Sequence, residues 1–485
     1  MGTDNFDISS FNRYIYDYIH PKPLELRNHV MLKPFFRVSS TEEARNQLAR
    51  FRSLKTEITG IDEAIFRVLS RSIKADQDSP PFDRSTMDGF ALTSSDTFGS
   101  SESSPSLFNV VGEILMGQIP QINLQSGDAV RIWTGGAMPT GADAVVMIEH
   151  TQELGGSALE VVKAVAPFDN MVRTGEDYKK GEELLKRGLR LRSQDIGLLA
   201  SLGVTKVEVH TRPRVALISS GDEITPVEDV PAPGCVRDVN RHSLYAGVKE
   251  AFAQPKWIGL AADTLKSVKA MLRSGLEQAD IVVISGGSSM GSRDYVIQAI
   301  SEEPVSRILI HGVSMSPGKP IIIGSIGSKP VIGLPGHPIS ALVCFDQFVI
   351  PIIRRLAGED TCEPFLRPCV KAFLTRNVSS KEGRQDFIRI TLSVSEGEFY
   401  ATPLLAKSGM VSAMSRTHGF VKIPADCEGL YKGQQVNAYL YSNCLGGDFE
   451  KEYFSGNETT KRSSANFNGA SRQEQLSGFG ENPHS

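Results

Sequence analysis

The sequence predicts a multidomain α/β protein. Its centre is a doubly wound, mainly parallel α/β domain. A β-rich inserted domain and helical linking segments precede it, and a small β-barrel or sandwich follows. Three observations carry this. Strand-like and helix-like patterns alternate between residues 209 and 358, as βαβ units require. Within that region Ile281-Val282-Val283-Ile284 is continuously apolar and runs into the glycine-rich SGGSSMG, which is how a central parallel strand ends at its functional edge. Short β-type runs punctuated by Gly and Pro fill residues 107–165 and 369–442 instead.

In chain order, residues 1–36 show no clear period and stay unassigned. Ser40-Thr41-Glu42-Glu43 reads as a capping box opening a helix, with Ala44 and Leu48 on its inner face. Ile61, Ala64, Ile65, Val68 and Leu69 form a second helical stripe. Asp78-Ser79-Pro80-Pro81 interrupts it, and PPFDRSTMDGFAL follows. The Ser-rich stretch 100–106 reads as an exposed loop, and RIWTGGAMPTGADAVVMIEH as a Gly-rich turn between two strands. After the polar turn Thr174-Gly175-Glu176-Asp177, Ser193 is expected to cap a helix carrying Ile196, Leu199 and Leu202, stopped by Gly203. The central domain then predicts strands at 214–219, 256–260, 280–285, 306–311, 319–323 and 330–334. Its helices are predicted at 240–253, 263–275, 294–302 and 338–357. Residues 446–485, rich in Ser, Asn, Gly and Glu, are expected to be a disordered tail.

Composition excludes several classes. The 485 residues suggest roughly two to four domains. A net charge of −4 gives no case for nucleic-acid binding. No apolar run reaches membrane-spanning length. The opening MGTDNFDISSFNRY lacks a basic segment followed by an apolar run, so no secretory signal is expected. The six cysteines contain no CxxC pair and read as reduced residues of a cytoplasmic protein.

The candidate chemistry sits after successive strands. Gly286, Gly287 and Gly291 allow close backbone approach to a ligand, Ser288 and Ser289 add hydroxyls, and Asp294 offers a carboxylate for a metal ion. Ser219-Ser220-Gly221-Asp222-Glu223 and Asp263 place acids at neighbouring strand ends. Ser316-Pro317-Gly318-Lys319-Pro320 fixes a lysine in a turn. Gly333-Leu334-Pro335-Gly336-His337-Pro338-Ile339-Ser340 puts Ser340 near a positive helix end. Anion donors, a cation and several acids together suit a phosphate or other oxyanion with Mg²⁺.

Seven motifs, PPFDRSTMDGFAL, WTGGAMPTGADAVVMIEH, RTGEDYKKGEELLKRGLRL, ISSGDEI, SGGSSMGSRDYV, SMSPGKP and GLPGHPISAL, resemble in order and approximate spacing those of the molybdopterin molybdotransferases, the family that includes the E domain of gephyrin. The resemblance covers about residues 37–445. It implies insertion of molybdate into adenylylated molybdopterin, releasing AMP and molybdenum cofactor, with Mg²⁺. It also implies an elongated homodimer of four-domain subunits whose clefts both chains line. Carried over, the functional acids fall on Asp88, Asp177, Glu223, Asp263 and Asp294, and the functional threonine on Thr134. Asp263, Asp294 and Glu223 form the implied metal set. The pterin-side serine falls on Ser289, and the molybdate pocket on Lys319, Pro320 and Ser340; Pro335 and Pro338 are implied as further substrate-binding residues, with Arg384 and Ser412 from the last domain. The implied domains are a linking domain at 37–77 and 170–208, a β-rich inserted domain at 78–169, the pterin-nucleotide domain at 209–358 and a C-terminal β-barrel at 359–445.

Two residues depart from the family pattern. Ser316 stands where many relatives carry a lysine, and His337 where asparagine is common. Both touch the expected oxyanion pocket, leave molybdate and tungstate both open as the ion, and suggest that protonated His337 replaces part of the lost charge. The alternatives are an adenylyltransferase-like enzyme on residues 210–357, against which the motifs at 81–92, 131–150 and 173–178 speak, and a non-catalytic scaffold, against which the retained acids speak.

Overall fold

The computed structural model describes residues 38–286, 292–361, 363, 367–405 and 409–441. The expected tail and the unassigned residues 1–36 lie outside them. Helix α1 (Thr41–Leu48) is opened by the predicted capping box: Ser40 Oγ accepts from the Glu43 N–H, and the Glu43 carboxylate accepts from the Ser40 N–H. Its Ala44 and Leu48 pack into the core beneath the central sheet.

The stripe at 61–69 is not a helix. A 3₁₀ turn over Asp62–Ala64 is followed by Phe66 in the left-handed region at φ 61°. The next residues pair as extended chain, Phe66 N–H to Leu191 O and Leu69 N–H to Leu189 O. The same apolar spacing arises because Ala64 and Leu69 both enter a small core with Leu185, Leu191, Leu199, Val207 and Val209. Periodicity reports burial, and here cross-strand partners supply it.

The inserted domain is a six-stranded sheet built from β1 (Gly89–Leu92), β2 (Ser106–Ile114), β3 (Asp128–Ile132), β4 (Ala144–Met147), β5 (Thr151–Gly155) and β6 (Ala158–Val161), in the order β4-β1-β3-β2-β6-β5. Helix α2 (Ser193–Ser201) starts one residue earlier than predicted. Arg192 is its N-cap, and the Asp195 carboxylate accepts from both the backbone N–H and the guanidinium of Arg192.

The central domain follows as β7 (Arg214–Ser220), α3 (Val239–Glu250), β8 (Gln254–Ala261), α4 (Leu265–Gln278), β9 (Ile281–Gly286), α5 (Ser292–Ser301), β10 (Ser306–His311), β11 (Ile322–Ile326), β12 (Lys329–Leu334), α6 (Pro338–Cys344) and α7 (Ile350–Leu356). Its six strands are ordered β8-β7-β9-β12-β11-β10. The first three pairings are parallel and the last two antiparallel. The sheet is doubly wound, as alternate residues of β7 show. Val215 and Leu217 pack with Leu244 and Val248 of α3 and with Ala341 and Ile353 of the α6–α7 arm. Ala216 and Ile218 pack with Val268 and Leu272 of α4 and Ala299 of α5. Two predictions shift. The strand expected at 319–323 begins at Ile322, because Lys319 remains in a turn that its carbonyl closes with the Val313 N–H. The helix expected at 338–357 is divided by a π-helical turn at Phe345–Val349.

Strands β13 (Cys369–Leu374), β14 (Gln385–Ser395), β15 (Glu398–Pro403), β16 (Gly419–Ile423) and β17 (Gln435–Leu440) close into a five-stranded barrel through the β14–β16 pairing. Closure removes free sheet edges, and it decides for the barrel over the sandwich.

Candidate functional site

Parallel strands β7, β8 and β9 end side by side, so the loops after them meet. Ser220 Oγ donates to Asp263 Oδ1 at 3.1 Å, and the Asp263 N–H donates to Asp222 Oδ1 at 3.0 Å. Glu223 folds back: a Cβ on Gly221 would lie 2.7 Å from its carboxylate. Gly286 closes the β7–β9 ladder opposite Ser220 at φ 141°. A Cβ there would fall 1.9 Å from the Ser220 carbonyl oxygen, so the backbones approach as only glycine permits.

These ends border a cleft of about 340 Å³, lined by Ser219, Ser220, Glu223, Asp238, Asn240, Ser285, Gly286, Gly336, His337 and Pro338, with Gly409 and Val411 from the barrel domain. A second cavity of about 450 Å³ is lined by Ser316, Lys319, Pro320, Ser340, Arg384 and Arg389 and by apolar barrel residues. Four residues expected to share an oxyanion pocket, Lys319, Pro320, Ser340 and Arg384, are thus brought together. Lys319 is exposed and makes no ion pair with a described residue. Arg384 is already engaged: its Nε and Nη2 reach the two oxygens of buried Asp386 at 2.7 and 2.8 Å. Arg389, which the sequence reading missed, is buried beside it, and burial pulls its guanidinium below the ordinary value. A charged residue at an inward position of an apolar strand was the available signal.

Other predicted residues fall elsewhere. Pro335 is buried behind the loop, and Pro338 lines the first cleft. His337 also lines the first cleft rather than the Lys319 cavity. Ser412 is exposed at the start of the short helix Ser412–Ser415 and lines neither cavity. Gly287, Ser288, Ser289, Gly291 and the side chain of Asp294 lie outside the described residues.

In the inserted domain, Asp88 Oδ1 accepts from the N–H and Oγ1 of Thr134, both at 2.8 Å. The Thr134 backbone N–H, then its hydroxyl, hold the exposed Asp88 carboxyl below the usual range. The same motif supplies a twin that sequence reading missed: Asp83 Oδ1 accepts from the N–H and Oγ1 of Thr174, both at 2.7 Å. Asp177 lies nearby in the chain path, with Ser79 Oγ 3.4 Å from its Oδ2. Among the described residues, Asp88, Thr134 and Asp177 do not line the strand-end cleft, and their side-chain hydrogen bonds run to one another and to Ser79.

Comparison with known proteins decides the family. A model of the MoeA N-terminal region (domain I and II) matches residues 39–203, a probable molybdopterin binding domain matches 216–355, and the MoeA C-terminal region (domain IV) matches 371–441. The molybdopterin molybdenumtransferase of Bacillus subtilis is 33% identical over 404 residues, spanning 82% of this chain and 93% of that one. The chain belongs to the molybdopterin molybdenumtransferase family. The Nostoc member is 33% identical over 79% of this chain and 88% of its own. A solved molybdopterin biosynthesis MoeA protein of Pyrococcus horikoshii superposes with TM-score 0.69 at 34% identity, covering 84% of this chain and all of that one. Membership makes the chain an enzyme of molybdenum cofactor biosynthesis. Among the described residues, no helix is long and apolar enough to cross a membrane.

Proposed function

We propose that this molybdenumtransferase inserts molybdate into adenylylated molybdopterin, releasing AMP and molybdenum cofactor. One observation carries the reading: the short segment from the loop at Gly336 into the first turn of α6 walls both cavities. Gly336, His337 and Pro338 line the acidic strand-end cleft, while Ser340, two residues on, lines the cavity of Lys319. A nucleotide held in the first and an oxyanion held in the second would lie within reach of one another. Proximity of this kind supplies much of the acceleration for a poorly electrophilic oxyanion. Lys319 and Ser340 would bind the oxyanion, and the Gly286 edge would take the phosphate and pterin end, with Ser289 as the pterin-side serine.

The strand-end oxygens suit a hard divalent cation. Asp263 and Glu223 would hold Mg²⁺ together with Asp294. Among the described residues no group of three or more potential ligands converges, so this set depends on Asp294. Bound there, the ion would neutralise charge developing on the phosphoanhydride. In a homodimer, Asp88, Thr134 and Asp177 would complete the cleft of the other chain. Mixed subunits test this: Asp88→Ala and Asp263→Ala chains, each inactive alone, should regain activity on mixing. Failure to complement would place each cleft within one chain.

The direct test is AMP release from adenylylated molybdopterin with Mg²⁺, titrating molybdate and tungstate separately. Molybdate-dependent AMP release is expected. Tight nucleotide binding without release by either ion would refute the reaction.

A further inference from the structure

Two polar atoms on the strand-end cleft have no role in the reaction described above. Ser219 is 2% exposed and Asn240 8% exposed, and both line the cleft. Ser219 Oγ and Asn240 Oδ1 have no hydrogen-bond partner among the described residues. A buried polar atom left unpaired costs free energy, so it calls for an explanation. The orientation of the Asn240 amide is fixed chemically. Its other atom, Nδ2, lies 2.8 Å from the Gly336 carbonyl oxygen, which can only accept. Oδ1 is therefore the unpaired atom.

Strand parity separates this pair from Asp263. Ser219 has the parity of Val215 and Leu217, whose face is covered by α3 and α6, and Asn240 begins α3 on that side. Ser220 has the parity of Ala216 and Ile218 and binds Asp263 at the start of the α4 side. The α4 side of the strand ends thus carries the Ser220–Asp263 pair, suited to phosphate through a cation, while on the α3 side Ser219 and Asn240 share the cleft with the charged Arg237 and Asp238. Between these charges Asn240 offers an acceptor and Ser219 a donor and acceptor. An acceptor oxygen there would repel phosphate, so the group it takes is a donor, an O–H or N–H.

We propose that Ser219 and Asn240 recognise the ribose hydroxyls of the adenylate, the diol satisfying both unpaired atoms. This rests on the proposed adenylylated substrate. A diol offers both donors and acceptors at adjacent positions, which matches the pair; a pterin edge, with N–H and C=O side by side, offers the same chemistry, and the comparison of AMP with its dideoxy form separates the two sources. Asn240 also ties α3 to Gly336 in the loop leading into α6, which carries Ser340, so ribose binding and the oxyanion cavity share a wall.

The test is calorimetric binding of AMP and of 2′,3′-dideoxy-AMP to the full chain with Mg²⁺. The wild type should prefer AMP by about tenfold, the order of one or two neutral hydrogen bonds. Ser219→Ala and Asn240→Ser should each lower AMP affinity and shrink the preference towards unity. Ser219→Ala should leave the melting temperature unchanged or raised, since it removes an unpaired hydroxyl; a purely structural serine would lower it. Equal binding of the two ligands by the wild type, or a preference that survives both substitutions, would overturn the ribose assignment. Wild-type protein that binds neither ligand would overturn it together with the adenylylated-substrate reading.

Discussion

Gly286→Ala is the sharpest perturbation of the site's foundation. Gly286 sits at φ 141°, where an L side chain is strained by about 1–3 kcal/mol. Its new Cβ would lie 1.9 Å from the Ser220 carbonyl oxygen. Ordinary carbon–oxygen contacts lie near 3.3 Å or beyond, so β9 must retreat by over about 1 Å. That breaks the last pairing of the β7–β9 ladder, Ser220 with Gly286, and adds a further ~1–3 kcal/mol of overpacking. The expected loss is about 2–6 kcal/mol. The chain has two tryptophans, and Trp257 lies on β8 in register with Leu217 of β7. In a Trp133→Phe background its fluorescence reports the central domain alone. With a urea slope of about 2.5 kcal/mol per molar, the midpoint should fall by roughly 1–2 M. A shift below about 0.3 M would refute the reasoning, because it would mean that β9 can turn away from Ser220 at little cost. AMP release should also fall in the folded variant.

Three further outcomes follow. Ser316→Lys should lower the molybdate half-saturation point by about three- to tenfold, since Ser316 lines the Lys319 cavity, where Arg384 is bound to Asp386 and Arg389 is buried; a titration checks it. Burial raises the Asp280 carboxyl, but the Arg214 guanidinium, the Arg214 N–H and Lys329 outweigh it, and the net shift is down from 3.8. Its stabilisation is therefore present above pH 3.8 and lost as pH falls through the lower folded value, so Asp280→Asn should cost about 1 kcal/mol at pH 7 and much less near pH 2, read from urea midpoints. Cys344 is buried, its Sγ is 3.3 Å from the Gly318 carbonyl, and burial pushes its thiol well up; at pH 8 a thiol reagent should label exposed Cys369 within minutes and spare Cys344 until denaturant is added.

The central domain was legible because its signals are local and redundant. A continuous apolar run needs burial on both faces, and successive runs separated by helical stripes leave few topologies. The errors came where burial was supplied across strands. At 61–69 helical spacing was satisfied by a 3₁₀ turn and pairing with Leu189 and Leu191, and no single-window pattern contains those partners. The capping box at Ser40 was readable because both bonds lie within four residues. The twin grips of Asp83 on Thr174 and Asp88 on Thr134 span 91 and 46 residues, beyond any local rule.

The same distinction explains which residues drew attention in the sequence and which did not. Acids, glycines and a lysine in loops announce chemistry by residue type, so Asp263, Gly286 and Lys319 stood out. Ser219 and Asn240 are ordinary residues in ordinary elements. What marks them is an unpaired atom inside a cleft, and that property exists only after folding. The parity of β7 adds the other half: one strand end sends Ser219 to the α3 side and Ser220 to the α4 side. A single alternation thus sends adjacent residues of one strand to opposite faces of the sheet, Ser219 to the side of Asn240 and Ser220 to the side of Asp263. An insertion of one residue in β7 before Ser219 would exchange them, and with them the orientation of any nucleotide bound there.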